Sequence, residues 1–206
     1  MKRILCWVLL LCMSSMLRAQ CTLGDIKAYR EAYKTQFLKD EHSPLGKRDL
    51  RYLRFFEPDC SFCYQASFDR IVDTVGFMMM THSGKEKKYY VYGRLQWEHE
   101  GQKAGLYVYQ SDKLMHSADK SDYLFVPFSD NTNYEETFGG GRYLDFRIQD
   151  IVNGQLWIDF NKAYNPYCAY KAGYACPMPP QENKLGYRVA AGEKMFGKTP
   201  GGQHQP

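Results

Sequence analysis

The sequence predicts a mainly β fold with one N-terminal α-helix, an antiparallel barrel or sandwich of about eight or nine short strands. Three observations carry this expectation. After Pro58, apolar and polar residues alternate with a period of two in one short segment after another. Clusters of Gly, Asn, Ser and Pro punctuate those segments as turns do. Only one stretch, near the start, carries a long helical stripe, so no helices alternate with the strands as parallel crossovers would require.

The helix is expected over residues 22–40, where Ile26, Tyr29, Tyr33 and Phe37 recur at spacings of three and four. Thr22 or Asp25 can cap its first turn. Ser43-Pro44-Leu45 reads as a turn, because the residue before a proline is steered out of the helical region. A second short helical piece is expected in DLRYLRFF, ending near Pro58. Strands are then expected at residues 65–71 and 75–81. The run Met78-Met79-Met80 reads as core filling in a strand covered on both faces. YYVYGRLQWEHE and KAGLYVYQS form a hairpin with Glu100-Gly101 in its turn. In its first arm Tyr90, Tyr92, Arg94 and Gln96 are expected on one face, with Val91, Gly93, Leu95 and Trp97 on the other. Residues 113–121 read as a loop, and 123–128, 143–148, 155–160 and 186–191 as further strands. The tail, residues 198–206, is expected to be disordered.

Residues 1–19 are set aside as a secretory signal peptide. Lys2 and Arg3 precede a short apolar run, and Ala19 offers a small residue at the cut. The run is too short to span a bilayer, so no integral membrane segment is expected after its removal. Lipid attachment at Cys21 is the less favoured alternative, because Arg18 and Gln20 suit a lipoprotein site poorly. Cleavage leaves 187 of the 206 residues, one domain over residues 20–197, with 24 basic against 23 acidic side chains. So small a net charge argues against a nucleic-acid partner. Export, periplasmic or extracellular, favours disulfides among Cys21, Cys60, Cys63, Cys168 and Cys176. Cys21, next to the new terminus, is the expected odd one out. The other four allow three pairings, and the alternatives of a zinc site or a redox C-x-x-C stay open. Cys168 and Cys176 are close enough in sequence to close a small loop readily.

The polar candidates cluster between residues 122 and 194. Arg142 follows Gly139-Gly140-Gly141 and opens a strand. A strand rather than a helix follows the glycines, which disfavours phosphate cradling and favours a tight turn. A guanidinium there could clamp a carboxylate, or form a salt bridge to Asp145, Asp159 or Glu182. Asp159, Asn161 and Asn165 stand at a strand end and the turns after it, where both ligand contacts and turn capping are common. Asp130 and Thr132 have the same two readings. No nucleophile motif is present, and no cofactor or metal is expected.

Four pieces in order, FSDNTNYEETFGGGRYLDF, IDFNKAYNPYCAY, CPMPPQENKL and AGEK, resemble the bacterial family known as domain of unknown function 1684. The resemblance implies a single secreted or cell-associated domain with no established reaction. Its characteristic polar positions fall on Asp130, Thr137, Arg142, Asp159, Asn161, Asn165, Glu182 and Asn183. Its paired cysteines fall on Cys168 and Cys176. This chain departs at DCSFC, where the family's segment lacks cysteine, which implies Cys60 and Cys63 as a separate local pair. Three functions follow as expectations. The first is a module binding a small polar ligand, a sugar or a carboxylate, near Arg142 and Asp159. The second is a hydrolase using Asp159 or Glu182 as acid or base. The third is a structural polar network with no ligand.

Overall fold

A computed structural model describes residues 21–198. The expected signal peptide and all but the first residue of the expected tail lie outside the described residues. The first helix, α1 (Leu23–Lys39), opens where Thr22 Oγ1 accepts from the Asp25 amide. It is followed by β1 (Cys63–Arg70), β2 (Phe77–Met80), β3 (Glu86–His99), β4 (Gln102–Ser111), a short α2 (Asp112–Met115), β5 (Tyr123–Phe128), β6 (Arg142–Arg147) and β7 (Gln155–Asp159). Among the described residues, no helix is long and apolar enough to cross a membrane.

The strands form one antiparallel sheet in the order β6-β5-β4-β3-β1-β7, with β2 on β3, curled into a half-barrel. Among the described residues seven strands form, close to the expected eight or nine, and residues 186–191 run as irregular chain. Their carbonyls serve a side chain instead of a ladder, as shown below. DLRYLRFF gives only a single 3-10 turn at Leu50–Tyr52, and the expected loop at 113–121 begins with α2.

The sheet has two apolar faces. On one, Leu95, Leu106, Val108, Leu124, Val126, Phe128 and Leu144 build the main core. On the other, Met79, Tyr89, Tyr109, Phe125 and Tyr143 form a second, aromatic layer. A bulge in β3 decides which residue goes where. Val91 pairs with Tyr109 and Gly93 with Val108, so Tyr92 is an extra residue in the ladder. Alternation is reset there, and Val91 joins the aromatic layer rather than Leu95 and Trp97. Gly93 is required at this point, since a Cβ would lie 2.3 Å from the Phe68 ring. The methionine run is corrected too. Met79 is buried, but Met78 and Met80 are exposed, so β2 is covered on one face only.

Helix α1 buries Ile26 and Phe37. Phe37 packs with Leu45, Leu53 and Tyr170 in a third small cluster. The helix therefore stands off the aromatic layer at one edge, which leaves a space between them.

Candidate functional site

The eight polar positions expected to gather around a ligand are, with one exception, buried and bonded within the protein. Arg142 is fully buried at the start of β6. Its Nη2 donates to Asp130 Oδ2 at 2.7 Å and to the Val189 carbonyl at 2.9 Å, and its Nη1 donates to the Ala191 carbonyl. Its partner is Asp130, not Asp145, Asp159 or Glu182. Burial pulls the guanidinium below its ordinary pKa, and Asp130 opposes that pull. Asp130 Oδ1 also accepts from the amides of Thr132 and Val189. Thr137 bonds Thr132 through their hydroxyls at 2.8 Å. The glycine run before Arg142 makes the tight turn expected of it. Gly141 has φ +85°, and a Cβ there would lie 2.6 Å from the Phe128 carbonyl.

The amides do similar work. Asn161 accepts from the Asp59 amide at 2.9 Å and donates to the Asp59 carbonyl at 2.8 Å, tying the turn before β1 to the end of β7. Asp159 Oδ1 accepts from the Asn161 amide and side chain. Asn165 donates its side chain to the Lys194 carbonyl and its backbone amide to Glu193 Oε2, both at 2.9 Å. Asn183 bridges β4 and β5, accepting from the Tyr107 amide and donating to the Tyr107 and Pro127 carbonyls. Glu182 is exposed beside it.

The cysteines differ from the expected pairing. Cys168 and Cys176 are bonded, with Cα atoms 6.2 Å apart. Cys60, however, is bonded to Cys21, with Cα atoms 5.8 Å apart, and Cys63 is the free thiol among the described residues. The strand direction explains this. Cys63 enters β1, while Cys60 sits on the preceding 3-10 turn and faces the start of α1. Cys21, Cys63 and Asp159 each place one potential metal-ligand atom within 4.8 Å of the others. With the Cys21 sulfur bonded to Cys60, that set does not supply three free ligands.

None of the eight polar positions lines the aromatic cleft elsewhere on the molecule. That cleft is the space between α1, the aromatic layer and the loop closed by Cys168–Cys176, with a volume of about 450 Å³. Its size falls within the range of roughly 300–1,000 Å³ typical of small-molecule sites. Tyr29, Tyr33 and Gln36 of α1 form one wall. Tyr89, Tyr123, Phe125 and Tyr143 of the sheet form the floor, and Tyr164, Tyr167 and Tyr174 the far side. The rings meet edge to face at Phe125–Tyr143 (4.7 Å) and Tyr143–Tyr164 (5.7 Å), so they enclose corners rather than stack flat.

Asp145 is the acid of this cleft. It lies on β6 on the same face as Tyr143, opposite Phe125 of β5. Tyr123 donates to its Oδ1 at 2.6 Å, and Tyr164 to its two oxygens at 2.9 and 2.8 Å. The residue is exposed to solvent at the cleft. Burial raises its pKa above the ordinary aspartate range, and the two tyrosine hydrogen bonds and Arg147 oppose the rise. Behind the wall, Glu193 is fully buried. It accepts from Tyr170, from Tyr33 and from the Asn165 amide, and burial lifts its pKa to about 7.

Asp145 was available in the sequence only as a possible partner for Arg142. The signal that singles it out is its place in RYLDFR. Alternation puts a charge on the same strand face as Tyr143, in register with an aromatic strand.

Comparison with known proteins agrees with the fold and leaves the chemistry to the site. No match is found among curated proteins. The fold is similar to the solution NMR structure of an uncharacterized protein from Haloarcula marismortui, with a TM-score of 0.65 and 28% identity, over 83% of this chain and 92% of that one. Residues 48–194 match the family described as protein of unknown function (DUF1684), and the chain belongs to that family.

Proposed function

We propose that this protein is an exported binding module whose small-molecule site is the aromatic cleft, with Asp145 orienting the ligand. The observation that carries the reading is an acid with no salt-bridge partner among the described residues, open to solvent at the base of a cleft lined by tyrosines. Tyr123 and Tyr164 give the carboxylate hydrogen bonds but no opposing charge, which leaves it available to a ligand. The polar ligand expected near Arg142 and Asp159 is thereby reassigned to a different part of the molecule, since those two groups spend their hydrogen bonds internally. Asp159 and Glu182 do not line the cleft, so the hydrolase reading that rested on them gains no support from it. Two disulfides support export to an oxidising compartment.

Thermal-shift screening against cationic, neutral and anionic small molecules tests the reading. A true ligand raises the melting temperature with concentration. Gln36→Trp, on the exposed side of α1 at the cleft, should abolish the shift while leaving the fold intact. A shift that survives Gln36→Trp would place the ligand elsewhere.

A further inference from the structure

We propose that the ligand of the cleft is an organic ammonium ion, seated with its positive centre near Asp145 and its carbon groups against the tyrosine rings. This rests on the cleft being a small-molecule site and adds the charge class of what binds there.

The first argument is charge balance. Tyr123 and Tyr164 fix the Asp145 carboxylate but are neutral, so they orient the charge without cancelling it. Arg147, the nearest cation on the same strand, is engaged 2.6 Å from Asp122. The one lysine lining the cleft, Lys87, is exposed and donates to the Ala175 carbonyl at 2.6 Å. It makes no salt bridge to Asp145. An anionic ligand would add like charge beside the carboxylate, and a neutral one would leave it unmatched.

The second argument is the state of the tyrosine hydroxyls. A sugar needs many hydrogen-bonding partners, and tyrosines could supply them. Here they are already used: Tyr29 on the Lys162 carbonyl, Tyr33 on Glu193, Tyr143 on the Pro177 carbonyl, Tyr167 on Asp40 and Tyr174 on the His42 carbonyl. With Tyr123 and Tyr164 bound to Asp145, only the Tyr89 hydroxyl and the Gln36 and Lys87 side chains remain as polar groups beside the carboxylate, and most of what a ligand meets is ring surface. Ring faces carry negative potential and attract alkylammonium groups, which shed water easily. The combination suits a cation whose charge is dressed in carbon.

The test titrates tetramethylammonium, choline and benzyltrimethylammonium into the full chain and follows binding by calorimetry. The uncharged carbon isostere of choline, 3,3-dimethylbutan-1-ol, and the anion 3,3-dimethylbutanoate serve as controls of matched shape. At least one ammonium ion should bind, with the isostere weaker by roughly tenfold or more. Asp145→Asn should remove that preference, and Gln36→Trp should remove binding altogether. Isostere or anion binding as tight as the ammonium ions would overturn the charge assignment and leave the small-molecule site standing. No binding by any of the three ammonium ions at millimolar concentration would also overturn it. If in addition no charge class in the thermal screen responds to Gln36→Trp, the binding reading falls with it.

Discussion

Arg142 and Asp130 form an ion pair at 2.7 Å with both side chains wholly removed from solvent. They stand twelve positions apart along turn-rich chain, and the guanidinium also collects two carbonyls of the segment that precedes Glu193. The pair thus fastens the end of the chain to the start of β6. A buried pair of this kind is a poor source of net stability but a costly thing to halve. Arg142→Met leaves Asp130 charged and alone and strands the Val189 and Ala191 carbonyls. It should lower unfolding free energy by about 3–5 kcal/mol, read from urea denaturation. Adding Asp130→Asn should recover part of the loss. A loss under about 1 kcal/mol for the single variant would show that the pair does not hold this end of the chain.

Asn183 stands in for a strand. β4 and β5 share only the pair Tyr109–Phe125, and Pro127 has no amide proton to offer. The Asn183 side chain supplies an acceptor to the Tyr107 amide and donors to the Tyr107 and Pro127 carbonyls. Asn183→Ala should cost about 2–4 kcal/mol and speed hydrogen exchange at the Tyr107 amide. Unchanged exchange there would mean that water or another group replaces it at no penalty.

Glu193 gives stability a pH dependence of defined sign. Its folded pKa is raised to about 7 from the ordinary glutamate value, so the native state holds its proton more firmly than the unfolded chain. Stability from this group is greatest below about pH 4.5 and is lost as pH rises to about 7, by an amount on the order of 3 kcal/mol. Several aspartates held below their usual range, half-buried Asp73 for one, act in the opposite sense at lower pH. The difference between wild type and Glu193→Gln isolates the term. Glu193→Gln should lose the decline between pH 5 and 7 (roughly one side chain's worth of proton linkage). Parallel curves for the two proteins across that window would refute the assignment.

The cysteine pairing is checked by alkylation of protein beginning at Gln20. Denatured without reductant, it should expose one thiol, at Cys63, and five after reduction. In the folded state that thiol should react slowly near neutral pH, since burial and the neighbouring Asp159 push its pKa up to about 11. Labelling of Cys21 instead would favour the local Cys60–Cys63 pair.

Much of the architecture was legible because its causes are local. Thr22 and Asp25 cap α1 where apolar spacing begins, and Glu100-Gly101 closes the β3–β4 hairpin with both residues at positive φ. The strand at Tyr123–Phe128 was bounded by its own residues. The bulge at Tyr92 was not legible, because it is a property of how β3 pairs with β4, beside a Gly93 that packs against the Phe68 ring of a neighbouring strand. The same holds for residues 186–191, whose pattern suits a strand but whose Val189 and Ala191 carbonyls accept from Arg142 and whose Gly186 and Tyr187 carbonyls accept from Asn131.

The site divides along the same line. Composition and motif picked out groups that need partners once buried; Asn161 and Asn183 find them on distant backbone, and Arg142 on Asp130 and two distant carbonyls. Which acid stays unmatched is a property of the whole molecule. It depends on α1 standing clear of the sheet, on Tyr164 arriving from after β7, and on Arg147 turning to Asp122. By itself the sequence determined the family, the antiparallel strands and the supply of tyrosines. Only the tertiary structure decided that most of those tyrosines spend their hydroxyls on protein and that Tyr123 and Tyr164 converge on Asp145, because such partners meet only once distant strands and loops are packed.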